Sequence, residues 1–291
     1  FKQKTAYEIA SCLVGSEMCI RDRDIVGYSG AASDYDITDS ASNLISAGDE
    51  VLNVTGVDIV TANDPSVNAN IGGDLAGFTA DIEFDVVDDA NALVAELTSS
   101  GFGPGGLDEA NTVVVSDGDV TASEADAIQA ISGYDGSASD YDITDTAAAL
   151  ISAGDDVLNV DGVDVVTVND GPVLADTGEA LAELSKDVEF DVLDTADNVA
   201  AEVTGSNGAG DLDEVNTLIV SGGDVDTSQA GAIQSISGYD DGASNYEITD
   251  NAAAVIGAGD SVIENDGVSL VEVTGNATAL EGVSLNTYSA N

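Results

Sequence analysis

The chain has 291 residues and a formal net charge of −51, from 56 acidic and 5 basic residues, with no histidine. A surface this acidic repels nucleic acid and anionic lipid, so we expect neither nucleic-acid binding nor membrane insertion. Apolar residues make up 43% of the sequence, which is enough to bury a core and argues against disorder.

Residues 1–23 differ abruptly in composition from the rest of the chain. They contain four of the five basic residues, three of the 56 acidic residues, both cysteines and the only methionine. The stretches KQKTAYEI and CLVGSEMCIRD resemble the conceptual translation of DNA used as sequencing adapters. We therefore interpret residues 1–23 as a non-native, adapter-derived segment. The remaining sequence then has a single basic residue, Lys186, and 53 acidic residues.

Residues 24–275 contain a long repeat. Tyr28, Tyr134 and Tyr239 occupy equivalent positions, so the period is 106 and then 105 residues. Repeat 1 covers 24–129, repeat 2 covers 130–234 and a partial repeat 3 covers 235–275. Residues 276–291 leave the register, and we interpret them as a cap, a linker or a truncated end. A repeat this long and this faithful indicates a repetitive architecture.

Short runs of β-branched and aromatic residues recur within each long repeat and predict strands. In chain order these runs are Tyr35–Asp39, Val57–Asp64, Ile82–Asp88, Thr112–Asp117, Tyr141–Asp145, Val163–Asp170, Val188–Asp194, Thr217–Gly223, Tyr246–Asp250 and Val268–Gly275. Where a terminal aspartate marks the end of the run, successive runs are 24 to 29 residues apart. That spacing is typical of one coil of a solenoid.

Ala-rich segments with apolar residues at helical spacing lie between the predicted strands and predict helices. The clearest are Ala122–Ile131, Thr146–Ala153, Glu179–Asp187 and Ala196–Val203.

Several residues predict where these helices begin and end. Thr121 with Glu124, and Asp226 with Gln229, have the spacing of capping boxes. Asp145 and Asp194 are predicted N-caps of the helices that follow them. Three glycines are predicted to end helices in the left-handed conformation: Gly154, Gly205 and Gly259.

Strands that alternate with helices, joined by connections too long for hairpins, predict parallel pairing with right-handed crossovers. We therefore predict an α/β fold, namely a right-handed α/β solenoid of parallel strands and helices, with about 26 residues per coil and one continuous sheet. Tandem β-sandwich modules are the alternative, because repeats of this length suit them. A sandwich, however, needs about seven strands spaced roughly 8–12 residues apart. An all-β parallel helix is a third fold, and the Ala-rich segments argue against it.

An aspartate ends or closely follows most of the predicted strands, and this pattern is the one feature that suggests chemistry. If the strands stack in register, these carboxylates lie in a row along one edge of the sheet: Asp39, Asp64, Asp88, Asp117, Asp145, Asp170, Asp194 and Asp250. Carboxylates about 5 Å apart repel by roughly 1 kcal/mol in water. Capping of the following helices or screening by high salt would offset this repulsion. Alternatively, Ca²⁺ would bridge neighbours, with further oxygen ligands from Asn63 and Asn169.

Paired tyrosines recur in each repeat, as Tyr28/Tyr35, Tyr134/Tyr141 and Tyr239/Tyr246. They form either an exposed row or a buried set in which each ring packs over the preceding coil, and we expect the buried set.

The native part of the sequence lacks the residues of common catalytic sites. From Asp24 onward it contains no His and no Cys, which excludes Ser-His-Asp, Cys-His and zinc sites in that part of the chain. Carboxylate pairs suited to glycoside hydrolysis occur all over so acidic a sequence and therefore identify no site. We predict that the protein is not an enzyme.

The units ITDTAAAL, ITDSASNL, ITDNAAAV and VLDTADNV resemble the degenerate Y-x-I-x-D-T-A-x-x-L repeats of very large, adhesin-like, secreted or surface proteins of bacteria. The resemblance covers most of residues 24–275 and brings no enzymatic residue with it. It implies a non-catalytic structural or adhesive repeat region of an extracellular or cell-surface protein. The implied partners are a cell-surface polymer or carbohydrate and further repeats of the same parent chain. The alternative is a carbohydrate- or polymer-binding module, or an accessory region of a secreted enzyme, which an exposed aromatic groove would favour.

Overall fold

The computed structural model describes residues 29–99, 106–205, 212 and 214–288. The predictions for residues 1–23 and for Tyr28 lie outside this part of the chain. The described residues divide into two compact units. The first contains 29–88, 95–99, 106–113 and 131–133, and the second contains 89–94, 114–130 and the described residues from 134 onward.

Thirteen strands occur in the described residues: β1 Tyr35–Asp39, β2 Val57–Ala62, β3 Ile82–Glu83, β4 Asp85–Asp88, β5 Thr112–Val115, β6 Asp119–Val120, β7 Tyr141–Asp145, β8 Val163–Val168, β9 Val188–Glu189, β10 Asp191–Asp194, β11 Thr217–Val225, β12 Asn245–Asn251 and β13 Val268–Thr274.

Thirteen α-helices occur in the same residues: α1 Ala41–Ala47, α2 Asp49–Leu52, α3 Ala69–Ala76, α4 Ala90–Thr98, α5 Ala122–Gln129, α6 Ala147–Ala153, α7 Asp155–Leu158, α8 Ala175–Ala182, α9 Ala196–Thr204, α10 Thr227–Gln234, α11 Ala252–Ala258, α12 Asp260–Ile263 and α13 Ala279–Leu285. None of the described helices is long and apolar enough to cross a membrane.

Each of the four sheets is parallel. In the first unit β1, β2 and β3 pair in chain order, with Val60 opposite Ile82. The second unit has two four-stranded sheets, β6-β7-β8-β9 and β10-β11-β12-β13. A separate two-stranded sheet consists of β4 and β5. The predicted neighbours Tyr141–Asp145 and Val163–Val168 pair side by side and parallel. This pairing confirms the α/β class, and the alternative of antiparallel sandwich modules is wrong for the described residues.

The prediction of one continuous sheet is wrong, because the described strands form four sheets, and two of the three interruptions fall in the middle of a predicted strand. Phe84 separates β3 from β4, and Phe190 separates β9 from β10. Both rings are buried, and the two carbonyls accept N–H bonds from Asn111 and Asn216. The half-strand before each phenylalanine pairs with the strand that precedes it in the chain, whereas the half-strand after it pairs with the strand that follows.

Many of the described helices begin after a polar N-cap residue, and two of these N-caps lie one position later than predicted. Both predicted capping boxes are confirmed, at Thr121 with Glu124 and at Asp226 with Gln229. The N-caps of α6 and α9 are Thr146 and Thr195, so the prediction of Asp145 and Asp194 was wrong. The hydroxyl of each threonine accepts the N–H of the third helical residue, which has no acceptor within the helix itself.

Two other helix boundaries differ from the sequence analysis. The predicted helix Glu179–Asp187 is displaced, since α8 covers Ala175–Ala182. Gly205 has φ −66° and is therefore not a left-handed terminator.

A single glycine, Gly154, is both the C-cap of α6 and the N-cap of α7. Gly154 has φ 63° and ψ −172°, and Gly259 between α11 and α12 has φ 80° and ψ 170°. The positive φ agrees with the prediction, but ψ near 180° places both glycines outside the left-handed helical region. The four-residue helices that follow, which the sequence analysis did not predict, each begin with an aspartate in the first turn. Leu158 and Ile263 anchor these short helices in the core.

The core lies between the strands and the helices of each unit. Alternate strand residues such as Ile143 and Val166 are fully buried, and so are helix residues such as Leu150 and Leu181. Burial of an aliphatic side chain of this kind stabilises the fold by roughly 1.5–3 kcal/mol. The carboxylates at the strand ends therefore stand on a packed framework.

Candidate functional site: the aspartate row

The predicted row consists of aspartates that stand between a strand and the N-cap of the next helix. Asp39, Asp145 and Asp194 are the last residues of β1, β7 and β10, and each is followed directly by the Ser or Thr N-cap. In all three, Oδ1 accepts the N–H of that N-cap residue at 2.7 Å. The sequence order strand–Asp–Ser/Thr–helix thus fixes one carboxylate oxygen locally.

The other carboxylate oxygen reaches back to a helix that lies earlier in the chain. It accepts the N–H of the first helical residue, and this contact recurs six times: Asp64 to Ala41 at 2.6 Å, Asp88 to Ala69 at 2.9 Å, Asp145 to Ala122 at 3.1 Å, Asp170 to Ala147 at 3.2 Å, Asp194 to Ala175 at 3.0 Å and Asp250 to Thr227 at 3.3 Å. The acceptor follows the donor by 19 or 23 residues.

These contacts correct the predicted role of the aspartates. The sequence analysis expected each carboxylate to cap the helix that follows it, whereas the structure directs it to a preceding helix. The first N–H groups of a helix have no partner within the helix, and the dipole makes its N-terminus favourable for a negative charge. At α5 the Thr121 hydroxyl takes the N–H of Glu124, while the Asp145 carboxylate takes that of Ala122.

Two members of the predicted row are used differently. The Asp39 carboxylate makes local contacts, because its Oδ1 accepts the N–H of Ser40 and also the side-chain N–H of Asn43 at 2.8 Å. At Asp117 the backbone carbonyl, rather than the carboxylate, accepts the N–H of Ala90 at 2.8 Å. The carboxylate of Asp117 instead accepts the N–H of Gly118.

The carboxylates do not face one another in the strand register. Asp145 lies opposite Val168, Asp194 opposite Val220 and Asp250 opposite Val273. Asp170 comes two residues beyond the position that pairs with Asp145. The stagger relieves the direct repulsion that in-register stacking would have caused.

The described residues contain no group of three or more His, Cys, Asp or Glu side chains placed to hold a metal ion. One carboxylate oxygen accepts a backbone N–H group of a preceding helix in each of Asp64, Asp88, Asp145, Asp170, Asp194 and Asp250. Hydrogen bonds from Thr227, its hydroxyl first, hold the pKa of Asp250 below its usual range. This row acts as a set of hydrogen-bond acceptors.

A second repeated carboxylate contact was not predicted. Asp49 accepts from the backbone N–H and the hydroxyl of Thr79. Asp155 accepts from the same two groups of Ser185, and both of these bonds measure 2.7 Å. The bonds from Ser185 lower the pKa of Asp155. The only sequence signal is a hydroxyl residue 30 positions after an aspartate, which is too common to recognise without a structure.

The tyrosine pairs are divided between two roles. Tyr141 and Tyr246 are buried, and their hydroxyls are bonded to the side chains of Gln129 and Gln234 on the preceding helices. This is the packing expected of them. The hydroxyls of Tyr134 and Tyr239 instead donate to Asp161 and Asn265, which lie later in the chain, whereas the predicted packing was over the preceding coil. Partial burial raises the pKa of Tyr134.

The described aromatic rings are largely used for packing. Phe84, Phe190, Tyr141 and Tyr246 are buried, whereas Tyr35 is 37% exposed.

No family model, curated protein or solved structure matches the chain at a significant level.

Proposed function

We propose that residues 24–275 form a right-handed α/β solenoid with about 26 residues per coil. The parallel pairing of successive strands within each unit supports this proposal, and so do the helices between those strands. The right hand follows from the general preference of parallel crossover connections.

This solenoid serves as a non-catalytic structural or adhesive repeat region of a large extracellular or cell-surface bacterial protein. The observation that carries the proposal is the recurrence of one contact, from a strand-end carboxylate to the first N–H of a preceding helix. The acidic residues that most suggested chemistry are thereby engaged in joining successive segments of the framework. Its proposed partners are further repeats of the parent chain and a cell-surface polymer or carbohydrate.

Binding and hydrolysis assays on a panel of glycans and surface polysaccharides test the functional class. For a structural or adhesive repeat region we expect no turnover of any glycan, and we expect binding to its cell-surface polymer or carbohydrate partner to be weak, no tighter than about millimolar for each repeat. Saturable binding at micromolar concentration would replace the structural role with that of a carbohydrate-binding module. Hydrolysis of a glycosidic bond would overturn the non-catalytic assignment.

Surface display gives the complementary test. The full chain is placed between a bacterial anchor and an epitope tag, and adhesion to abiotic and polysaccharide-coated surfaces is measured. For a rigid scaffold we expect the epitope to remain accessible to antibody and the repeat region between anchor and epitope to resist protease. Rapid proteolysis within β7 or β8 would contradict a rigid repeat region, because both strands are paired on each side within their sheet.

A further inference from the structure

Two pairs of tyrosines in the second unit bring their phenol groups into contact. Tyr134 precedes β7 and Tyr141 is the first residue of that strand, and the two hydroxyls are hydrogen-bonded to each other. Tyr239 and Tyr246 make the same contact in the next long repeat. Because the contact recurs at equivalent positions of the repeat, it is a regular feature of the fold.

Further hydrogen bonds fix both hydroxyls of the first pair. The side-chain amide of Gln129 donates to the hydroxyl oxygen of Tyr141 at 2.8 Å. The hydroxyl of Tyr134 donates to the carbonyl of Asp161, also at 2.8 Å. Since this bond uses the single proton of Tyr134, the hydroxyl of Tyr141 is the donor between the two rings. A Cβ added at Gly162 would lie 2.6 Å from the Tyr134 hydroxyl, which therefore rests directly on the backbone.

The second pair has the same surroundings. Gln234 donates to the hydroxyl oxygen of Tyr246 at 2.7 Å, and the hydroxyl of Tyr239 donates to the side chain of Asn265 at 3.0 Å. A Cβ added at Gly267 would clash with the Tyr239 hydroxyl. Burial is the main cause of the raised pKa of Tyr239, so this phenol stays protonated at neutral pH and keeps its hydrogen bonds.

Tyrosine is the most readily oxidised side chain in the native part of the sequence. From residue 24 onward the sequence contains no Cys, Met, Trp or His. Cys and Met are the usual targets of oxidants in proteins. A one-electron oxidant that reaches this part of the chain is therefore directed to tyrosine. In each pair the first tyrosine, Tyr134 or Tyr239, is only half-buried and gives access to the oxidant, whereas the second is buried.

We propose that the Tyr134–Tyr141 and Tyr239–Tyr246 pairs are oxidative cross-linking sites, which a one-electron oxidant converts to dityrosine. In dityrosine an ortho carbon of one ring is bonded to an ortho carbon of the other, which leaves the two hydroxyls adjacent and hydrogen-bonded. The contact between the hydroxyls in the structure thus already has the arrangement of the product. Holding two reacting groups in such a geometry replaces a diffusional encounter between them.

The reaction consumes two equivalents of oxidant for each pair. Each tyrosine gives one electron to the oxidant and its phenolic proton to water, which forms a neutral phenoxyl radical. The two radicals then form a carbon–carbon bond between their ortho carbons. The hydrogen on each bonded carbon moves to the phenolic oxygen and restores the phenol, so the pair loses two hydrogen atoms in total. The new bond closes the loop before β7, or before the Tyr246 strand β12, as a covalent ring.

Photo-oxidation of the full chain with tris(bipyridine)ruthenium(II) and persulfate, a source of one-electron oxidants, tests the proposal. Dilute protein is irradiated, and the monomer is isolated and digested with a protease that cleaves before aspartate. Asp135 and Asp140 lie between Tyr134 and Tyr141, so these two tyrosines stay in one product only if they are cross-linked. Asp240 separates the second pair in the same way. We expect dityrosine fluorescence and linked peptides from both pairs, each lighter by two hydrogen atoms.

Each pair provides the matched control for the other. Tyr134→Phe keeps a ring in place and should remove the first link but leave the second, and Tyr239→Phe should do the reverse. Links that include Tyr288, whose hydroxyl is bonded to the carbonyl of Ile256, should be at least about tenfold less abundant. In concentrated urea, where the contacts are lost, the yield of both links should fall by at least about fivefold.

Three results would overturn the cross-linking sites. The first is the absence of both links while Tyr288 is oxidised or coupled. The second is an equal yield in urea, which would attribute the links to the short separation of the tyrosines in the sequence. The third is dityrosine found only in covalent dimers, which would assign the coupling to contacts between two copies of the chain.

Discussion

At the scale of single residues, the carboxylate of Asp194 shows why the aspartates recur. It is only 7% exposed and accepts from Ala175, Thr195 and Asn198 at 2.7 to 3.0 Å. A buried charge is tolerated when it accepts several N–H bonds near a helix N-terminus, and is costly otherwise. The residue therefore fits this position because both its oxygens have donors.

Replacing Asp194 with alanine tests this account. The change leaves the buried N–H of Ala175 without its acceptor, so we expect a loss of about 2–3 kcal/mol in the free energy of unfolding, measured by urea denaturation. Asp187→Ala, at an exposed carboxylate, is the control and should change stability by less than about 0.5 kcal/mol. This control variant also measures how much the removal of one negative charge raises the free energy of unfolding. Equal effects of the two changes would contradict the role of Asp194.

A second residue-scale prediction concerns two glutamates that meet on α8 and α9. A hydrogen bond with the Glu179 carboxyl is the main cause of the raised pKa of Glu202, with smaller effects from burial and from the charges of Glu179, Asp176 and Asp194. The folded state binds this proton more tightly than the unfolded state does. The pair therefore stabilises the fold at low pH, and this stabilisation is lost as the pH rises through the raised pKa.

Glu202→Gln removes the proton dependence of this pair. We expect a higher melting temperature than the wild type at pH 7 and little difference at pH 4. The first unit supplies the control, because Glu96 occupies the equivalent position and faces Gly73 instead of a glutamate. Glu96→Gln should give a smaller gain at pH 7. A gain as large as that of Glu202→Gln would attribute the effect to net charge alone.

At the scale of elements, the paired helices α6 and α7 show how one glycine redirects the chain. Gly154 is both the end of one helix and the start of the next, at φ 63° and ψ −172°. A residue with a Cβ is strained in that conformation, whereas the open space around the position imposes no steric limit.

Gly154→Ala should therefore destabilise the protein by about 1 kcal/mol through backbone strain alone. Gly257→Ala, inside helix α11, should have the opposite sign and stabilise by roughly 0.5–1 kcal/mol. Thermal unfolding of both variants measures the difference. If both substitutions stabilise, Gly154 does not require a positive φ in solution.

Much of the element pattern could be predicted from the sequence, and the exceptions have physical causes. The run YDITD predicted β7 to the residue, because β-branched residues lie between a loop and a helix cap. The interruption at Phe190 was not predictable, since VEFDVLD alternates like a single strand. The strand is split by the hydrogen bond from the N–H of Asn216 to the Phe190 carbonyl and by the packing of the Phe190 ring against Gly178, and both contacts involve residues distant in sequence. The long reach of Asp194 was missed for the same reason.

At the scale of the whole molecule, a net charge of −51 opposes the compact state. Lys186, the one basic residue after residue 23, donates to the carbonyl of Val163 at 2.7 Å. Many carboxylates are balanced by N–H groups and helix dipoles, while the remaining repulsion between exposed charges depends on ionic strength.

Melting temperatures in NaCl, MgCl₂ and CaCl₂ test this balance. We expect the melting temperature to rise with NaCl, and Mg²⁺ and Ca²⁺ to produce equal shifts at matched ionic strength, because backbone donors occupy the row. A calcium-specific rise that magnesium does not reproduce would restore the predicted ion ladder. In that case Asp145→Asn and Asp170→Asn should each abolish the specific shift.

The bond between Asp145 and Ala122 spans 23 positions in a fixed direction, from a later carboxylate to an earlier amide. During synthesis the six helix starts that have this contact can therefore be completed only after the succeeding extended segment has emerged. We expect such a chain to become ordered from its amino end to its carboxyl end, with the most recently added coil the least stable. Such an array can lengthen by duplication, because the carboxylate of each added unit accepts an N–H of the unit before it, and its own first helical N–H can bond to the unit that follows.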